Sequence, residues 1–399
     1  VLGIVALLLV SSCAEEAPSP PPPGGGRAAT TPVESIGDGW TSITPREAGL
    51  DPDRLNALTA MLRRYHEWNV HAVLVEHDGR LAYEEYFTGM DEIWGERREW
   101  RTFDRDALHD VRSISKSVVS ALTGTAIASG VIRSIDDPMV DYLPGLKDLS
   151  LPEKRAITVR HALTMTAGLQ WNEDIPFTDP RNDELGMTRS RDPLRYIFSK
   201  PVMHPPGRAW VYNGGLVQAL GGVLEHASGT PFEEYARETF FEPLGITHWE
   251  WRGDLGGMPA VASGLRLRAR DVAKIGSLYL HEGRWQGRQV VPEEWVRESS
   301  RATFLLPGAT SAWGVHRYGY LWWHTCYQTP YGTLDALTAL GNGQQRIFVL
   351  PQYRMAVTIL AGRYYDPSAS RLAERILLEN ILPAIGRPAD DSPACAISD

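Results

Sequence analysis

The 399-residue sequence predicts an α+β fold: an antiparallel sheet flanked by terminal helices, with a mostly helical lobe inserted between its strands. Three observations predict it. An amphipathic helix near residue 51 is followed by two strand-like runs joined by a tight turn. A second strand pair is followed by an amphipathic helix near the C-terminus. The stretch between, from about 110 to 285, carries helical patterns and long loops. Pairing the two ends into one sheet leaves the helical stretch as a second lobe, and a cleft between lobes is where a site is expected.

In chain order, VLGIVALLLV (1–10) is too short to cross a bilayer and reads as the core of a secretory signal. Val10-Ser11-Ser12-Cys13 resembles a bacterial lipobox, which makes Cys13 a lipidated residue; an ordinary cleaved signal is the alternative. We therefore read 1–12 as a signal peptide, 13–39 as a Pro/Gly-rich linker, 40–387 as the folded domain and 388–399 as a tail. This implies export to the cell envelope or periplasm, with membrane contact only through an N-terminal lipid anchor. DPDRLNALTAMLRRYHEW (51–68) predicts a helix capped by Asp51, with Pro52 in its first turn and Leu55, Leu58, Leu62 and Tyr65 on one face. VHAVLVE and RLAYEEYF flank His77-Asp78-Gly79, a strong hairpin signal. QRIFVL and RMAVTILA flank Pro351-Gln352-Tyr353, and SASRLAERILLENIL (368–382) predicts the closing helix. The stretches 171–200 and 303–335 read as loops around the pocket.

The net charge of −9, spread along the chain, argues against a nucleic-acid partner. No His-Glu-x-x-His or Cys-x-x-Cys spacing marks a metal site. Of the three cysteines, Cys326 and Cys395 are free to pair in an exported protein, though spacing does not decide whether they do.

The stretch carrying chemistry is DVRSISKSVV (110–119). Ser113 stands at the start of a helical pattern, and Lys116 lies one turn along on the same face. A capping serine followed by a solvated lysine is the plain reading. Against it, arginine outnumbers lysine 35 to 5, and a helix N-terminus disfavours a cation. A serine hydroxyl attacks well only when a neighbour takes its proton, and a lysine does so only when neutral. Burial and the positive helix end are both expected to lower the Lys116 pKa, so activity should fall as pH falls. HPPGRAWVYNGG (204–215) offers Tyr212 as a second proton carrier, and ALGNGQQRIFVL (339–350) offers Gly341 and Gly343 for close backbone approach. No Gly-x-Ser-x-Gly elbow is present.

With DVRSISKS, six further stretches occur in order: SIDDPMVDYLPGL, TVRHALTMTAGLQW, PPGRAWVYNGG, GLRLRARDVAKIGSLYLHEGRWQGRQVVPEEWV, YGYLWW and ALGNGQQRIFVLP. Together they resemble the serine β-lactamase/penicillin-binding-protein superfamily over roughly residues 45–385. The resemblance is to its class C β-lactamase-related branch, with esterases and 6-aminohexanoate-dimer hydrolases. It implies the β-lactamase/transpeptidase-like fold, Ser113 as acylated nucleophile, Lys116 as base and Tyr212 as proton relay. It also implies an oxyanion hole from the backbone N–H groups of Ser113 and Asn342, and no cofactor or metal. Trp171, Asn213, Gly341, Gly343 and Arg346 are substrate-binding candidates. Two departures bear on substrate. The family's Tyr-x-Asn is here Tyr212-Asn213-Gly214, and its Lys-Thr-Gly strand is here the apolar Ala339-Leu340-Gly341. These point to a small or short peptide-like ester or amide. The alternatives are a β-lactamase or DD-peptidase, and a catalytically silent envelope binding protein.

Overall fold

The computed structural model describes residues 30–93, 98–253, 257–301, 304–311, 314–369 and 371–386. The apolar leader, Cys13, most of the proposed linker, Trp313, Cys395 and the tail lie outside the described residues. Cys326 is disulfide-bonded.

Nine strands form the main sheet: β1 (Thr41–Ser42), β2 (Val70–His77), β3 (Arg80–Tyr86), β4 (Phe304–Ser311), β5 (Gly314–Tyr318), β6 (Trp323–Thr329), β7 (Gly332–Gly341), β8 (Gln345–Leu350) and β9 (Met355–Ala361). Their spatial order is β1-β3-β2-β9-β8-β7-β6-β5-β4. All neighbours are antiparallel except β1 and β3. The first and last long strands meet at the centre, with Val75 opposite Val357. Asp78 and Gly79, both at positive φ, close the β2–β3 hairpin in the handedness such a two-residue loop requires.

Both faces of the central strands are covered, so β2 is buried along its whole length and reads as one apolar run rather than an alternation. Val73 and Val75 face the terminal helices; Ala72 and Leu74 face the helical lobe. The terminal layer holds α1 (Pro52–Arg64), capped by Asp51 through the N–H groups of Asp53 and Arg54. Between the ends come α2 (Ile114–Ala128), α3 (Gly214–Ser228), α4 (Ala269–Leu280) and α5 (Glu293–Ser299). Helix α4 lies on β9, β8 and β2. Gly276 permits that approach, since a Cβ there would come 2.7 Å from Ile347 Cγ2.

Five expectations need correction. The 303–335 stretch is sheet rather than loop for most of its length, because β4 to β7 add four strands to one edge. Its prolines, glycines and mixed polarity obscure the period-2 signal. The 171–200 stretch is partly helical rather than all loop, since Asp183–Thr188 and Pro193–Ser199 form two short helices capped by Asn182 and Asp192. The mostly helical lobe also holds three short strands, Leu108–Asp110, Trp249–Trp251 and Leu265–Arg268, in a sheet of their own. The closing helix starts at α6 (Leu372–Ile376), four residues later than expected, and continues through a wide turn at Leu377–Ile381 to Ile385. The packed chain starts before residue 40. Val33 is buried, and Arg270 on α4 holds the Glu34 carbonyl and the Asp38 carboxylate.

Candidate active site

Ser113 is the N-cap residue of α2, but its side chain makes no cap hydrogen bond. Arg112, in the left-handed region at φ 51, turns the chain just before it. Arg112 is held there by Asp110 at 3.5 Å and by the Tyr364 ring, whose centroid is 4.4 Å away. Lys116 follows one turn later, and α2 buries it to 2% exposure. Its Nζ donates to Ser113 Oγ at 2.9 Å and to the Ala262 carbonyl at 3.0 Å. That carbonyl is fixed from behind: Gln218, buried in α3, donates to the Pro259 carbonyl and accepts from the Val261 N–H. The sequence places Ser113 and Lys116 together; the fold adds a carbonyl brought from 146 residues away.

Tyr212 stands over this pair, with Lys116 Nζ 5.0 Å from its ring centroid. Trp323 and Trp210 flank its ring at 5.9 and 6.1 Å. Ser113 and Tyr212 keep part of their surface open while Lys116 sits behind them. The expected lowering of the Lys116 pKa is reversed. Burial does pull it down, but Tyr212, Glu173 and Glu184 together hold it above the usual lysine value. Tyr212 is raised by burial, against the pull of Lys116. Glu173 is raised to about 7 by loss of water and by Glu184. A local sequence window around Ser113 contains neither glutamate, which is why a lowered Lys116 was expected.

The other named residues divide. Gly341 ends β7 against the segment leading to Ser113; a Cβ there would run into the Val111 carbonyl oxygen. This brings the exposed Asn342 to the nucleophile's side of the cleft, with its Oδ1 accepting from the Tyr365 N–H. Gly343, at φ 89, packs against Tyr364. Three substrate-binding candidates are held elsewhere. Asn213 is buried and caps α3 through the Leu216 N–H. Arg346 pairs with Glu374 at 2.9 Å and donates to the Gly341 and Gln345 carbonyls. Trp171 is buried, and its Nε1 donates to Glu173 at 2.6 Å. Glu173, Glu184 and Gln218 are the site residues that sequence reasoning missed or undervalued; each acts through a tertiary contact. The 171–200 segment is itself ordered by Asp183, which takes the Asn172 N–H, the Tyr196 hydroxyl and Lys200.

A buried lysine hydrogen-bonded to a helix-cap serine stands under a tyrosine, between a β-sheet and a helical lobe, an arrangement suited to nucleophilic chemistry at the serine. The chain belongs to the Beta-lactamase family, whose profile matches residues 60–381. It is similar to 6-aminohexanoate-dimer hydrolase of Paenarthrobacter ureafaciens, with 25% identity over 68% of this chain and 69% of that protein. It is also similar to a β-lactamase of Escherichia coli K12, with 30% identity over 36% of this chain and 35% of that protein. Other curated relatives are likewise matched over only part of their length, 62% and 49% in two cases. Among solved structures, EstCE1, a hydrolase with promiscuous acyltransferase activity, shares the fold at TM-score 0.66 and 17% identity, over 85% of this chain and 98% of that one.

Proposed function

We propose that this protein hydrolyses small or short peptide-like esters or amides through an acyl-enzyme on Ser113. The observation that carries the reading is the 2.9 Å contact between Lys116 Nζ and Ser113 Oγ, made by a lysine buried to 2% exposure. In the productive state Lys116 is neutral and accepts the Ser113 proton as Oγ bonds to the substrate carbonyl carbon. The N–H groups of Ser113 and Asn342 receive the developing oxyanion. Tyr212 passes a proton to the departing alcohol or amine as its bond to the carbonyl carbon breaks. Water then attacks the acyl carbon; the bond from that carbon to Ser113 Oγ breaks, the acid is released, and a proton is relayed through Tyr212 and Lys116 back to Ser113 Oγ.

Ala339-Leu340-Gly341 at the end of β7 carries no cation, and Arg346 on the neighbouring β8 is engaged by Glu374 rather than open to a β-lactam carboxylate. This favours the ester and amide reading over the β-lactamase one. Intact-mass spectrometry after exposure to a fluorophosphonate tests the proposal. One adduct on the wild type and none on S113A is the expected result. An unlabelled, folded wild type would overturn it and favour a silent binding protein. A long-lived adduct with a fluorescent penicillin would favour the β-lactamase and DD-peptidase reading.

A further inference from the structure

The Ser113 site holds more titratable groups than the proposed chemistry uses. Glu173 lies on the loop after Trp171. Its Oε2 accepts from the Gly214 N–H at 2.7 Å and from Trp171 Nε1 at 2.6 Å. Gly214 opens α3 directly after the cap Asn213, two residues beyond Tyr212. It offers no side chain at the third position of the Tyr-Asn-Gly sequence. A Cβ there would lie 3.1 Å from Glu173 Oε2 and 3.8 Å from Oε1. The carboxylate therefore fills the volume that a side chain at 214 would need. Glu184, on the helix Asp183–Thr188, bears on the same carboxylate and is held by Ser263 Oγ at 3.0 Å. Lys116 from α2, Tyr212 before α3 and Tyr318 from β5 complete the titratable groups around Glu173.

We propose that Glu173 is a positioning residue of this site: its carboxylate takes the place of a side chain at 214, anchors the first turn of α3 beside Tyr212, and sets the charge against which Lys116 exchanges its proton. The proposal rests on Ser113, Lys116 and Tyr212 being the reacting set, with Glu173 acting through Lys116 rather than on substrate. When ionised, Glu173 favours the ammonium form of Lys116; when protonated, it does not. Since Glu173 changes charge near pH 7, it is ionised over the range in which Lys116 must lose its proton. No co-reactant is involved, because one proton is redistributed among fixed groups.

The chain's five lysines make a direct measurement practical. Lysine labelled with 13C at Cε is titrated by NMR in the wild type and in E173Q, with the Lys116 signal assigned by its loss in K116M. Glutamine keeps the acceptor oxygen and the shape and removes only the charge. Lys116 is expected to titrate about one pH unit lower in E173Q, and the acid limb of kcat/KM on p-nitrophenyl acetate to move down with it. Superimposable Lys116 titrations would overturn the proposal. The volume argument has its own test. E173A should lower kcat about tenfold, and E173A/G214N, which returns a side chain to the vacated space, should recover part of that loss. A double variant no better than E173A overturns that half of the proposal. A shifted Lys116 signal in a protein that neither takes up fluorophosphonate nor cleaves the ester would uphold Glu173 and refute the reacting set. Labelling and turnover with an unshifted Lys116 would do the reverse.

Discussion

Lys116 donates to the hydroxyl that it deprotonates in the proposed mechanism, and its neighbours stabilise its charged form. Activity should therefore rise with pH through the neutral and alkaline range: a raised pKa keeps the base protonated until higher pH, so the neutral form grows only as protons are withdrawn. A pH profile of kcat/KM with a flat acid side would contradict this. Y212F should lower kcat/KM by ~10²–10⁴, the range of general acid–base catalysis, while leaving fluorophosphonate uptake measurable. Ser113 and Lys116 were legible because an i, i+3 pair is a local property of one helix turn. Tyr212 was legible through its loop motif. Glu173 and Ala262 were not, because only the folded chain brings residues so far apart in sequence to α2. Asn213 was misread for the opposite reason. A polar residue beside the site suggests substrate contact, yet its spacing from Leu216 is that of a helix cap.

At the scale of elements, two glycines and one cap hold the site's geometry. N213A should cost about 1 kcal/mol in urea unfolding, as loss of an N-cap usually does, and should also reduce turnover because Tyr212 is its neighbour. G341A should reduce fluorophosphonate labelling sharply, since its methyl group would push the end of β7 away from the Val111 carbonyl oxygen. Gly124 plays the corresponding role between α2 and α5, where a Cβ would enter the Trp295 ring; G124A should cost about 1–3 kcal/mol through overpacking. The two hairpins near the ends were readable because Asp-Gly and Pro-Gln-Tyr punctuate strongly apolar runs. Strand β6 was not, because neither alternation nor continuous apolarity survives along Trp323–Thr329, whose positions run from partly open to buried to exposed.

Across the whole molecule, the sheet separates two apolar layers, and buried ion pairs pin the surrounding segments to it. Arg270 is 2% exposed and binds Glu84 on β3 as well as Asp38. R270M should destabilise the fold by about 3–5 kcal/mol by leaving the carboxylates unpaired, measured as a fall in the denaturant midpoint. Glu173 adds a pH term. Its folded pKa is raised, so its contribution is fully present below its ordinary value near 4.5 and is lost as pH rises through about 7. The urea midpoint of the wild type should accordingly drop relative to E173Q between pH 5 and pH 8. The two-lobed class was legible from where strand and helix signals cluster along the chain. The contacts between lobes were not, because they join residues far apart in sequence.

The pairing of β2 with β9 also bears on how the chain is made. β2 ends at His77, and its central partner begins at Met355. At about 5–20 residues per second, a ribosome needs roughly 15–55 s to supply the missing strand. During that interval β2 lacks the partner of its inner edge, and its apolar run Ala72-Val73-Leu74-Val75 lacks the cover it has in the folded chain. A nascent chain in that condition is a natural client for a chaperone, and its yield on expression should depend on translation speed more than its final stability would suggest.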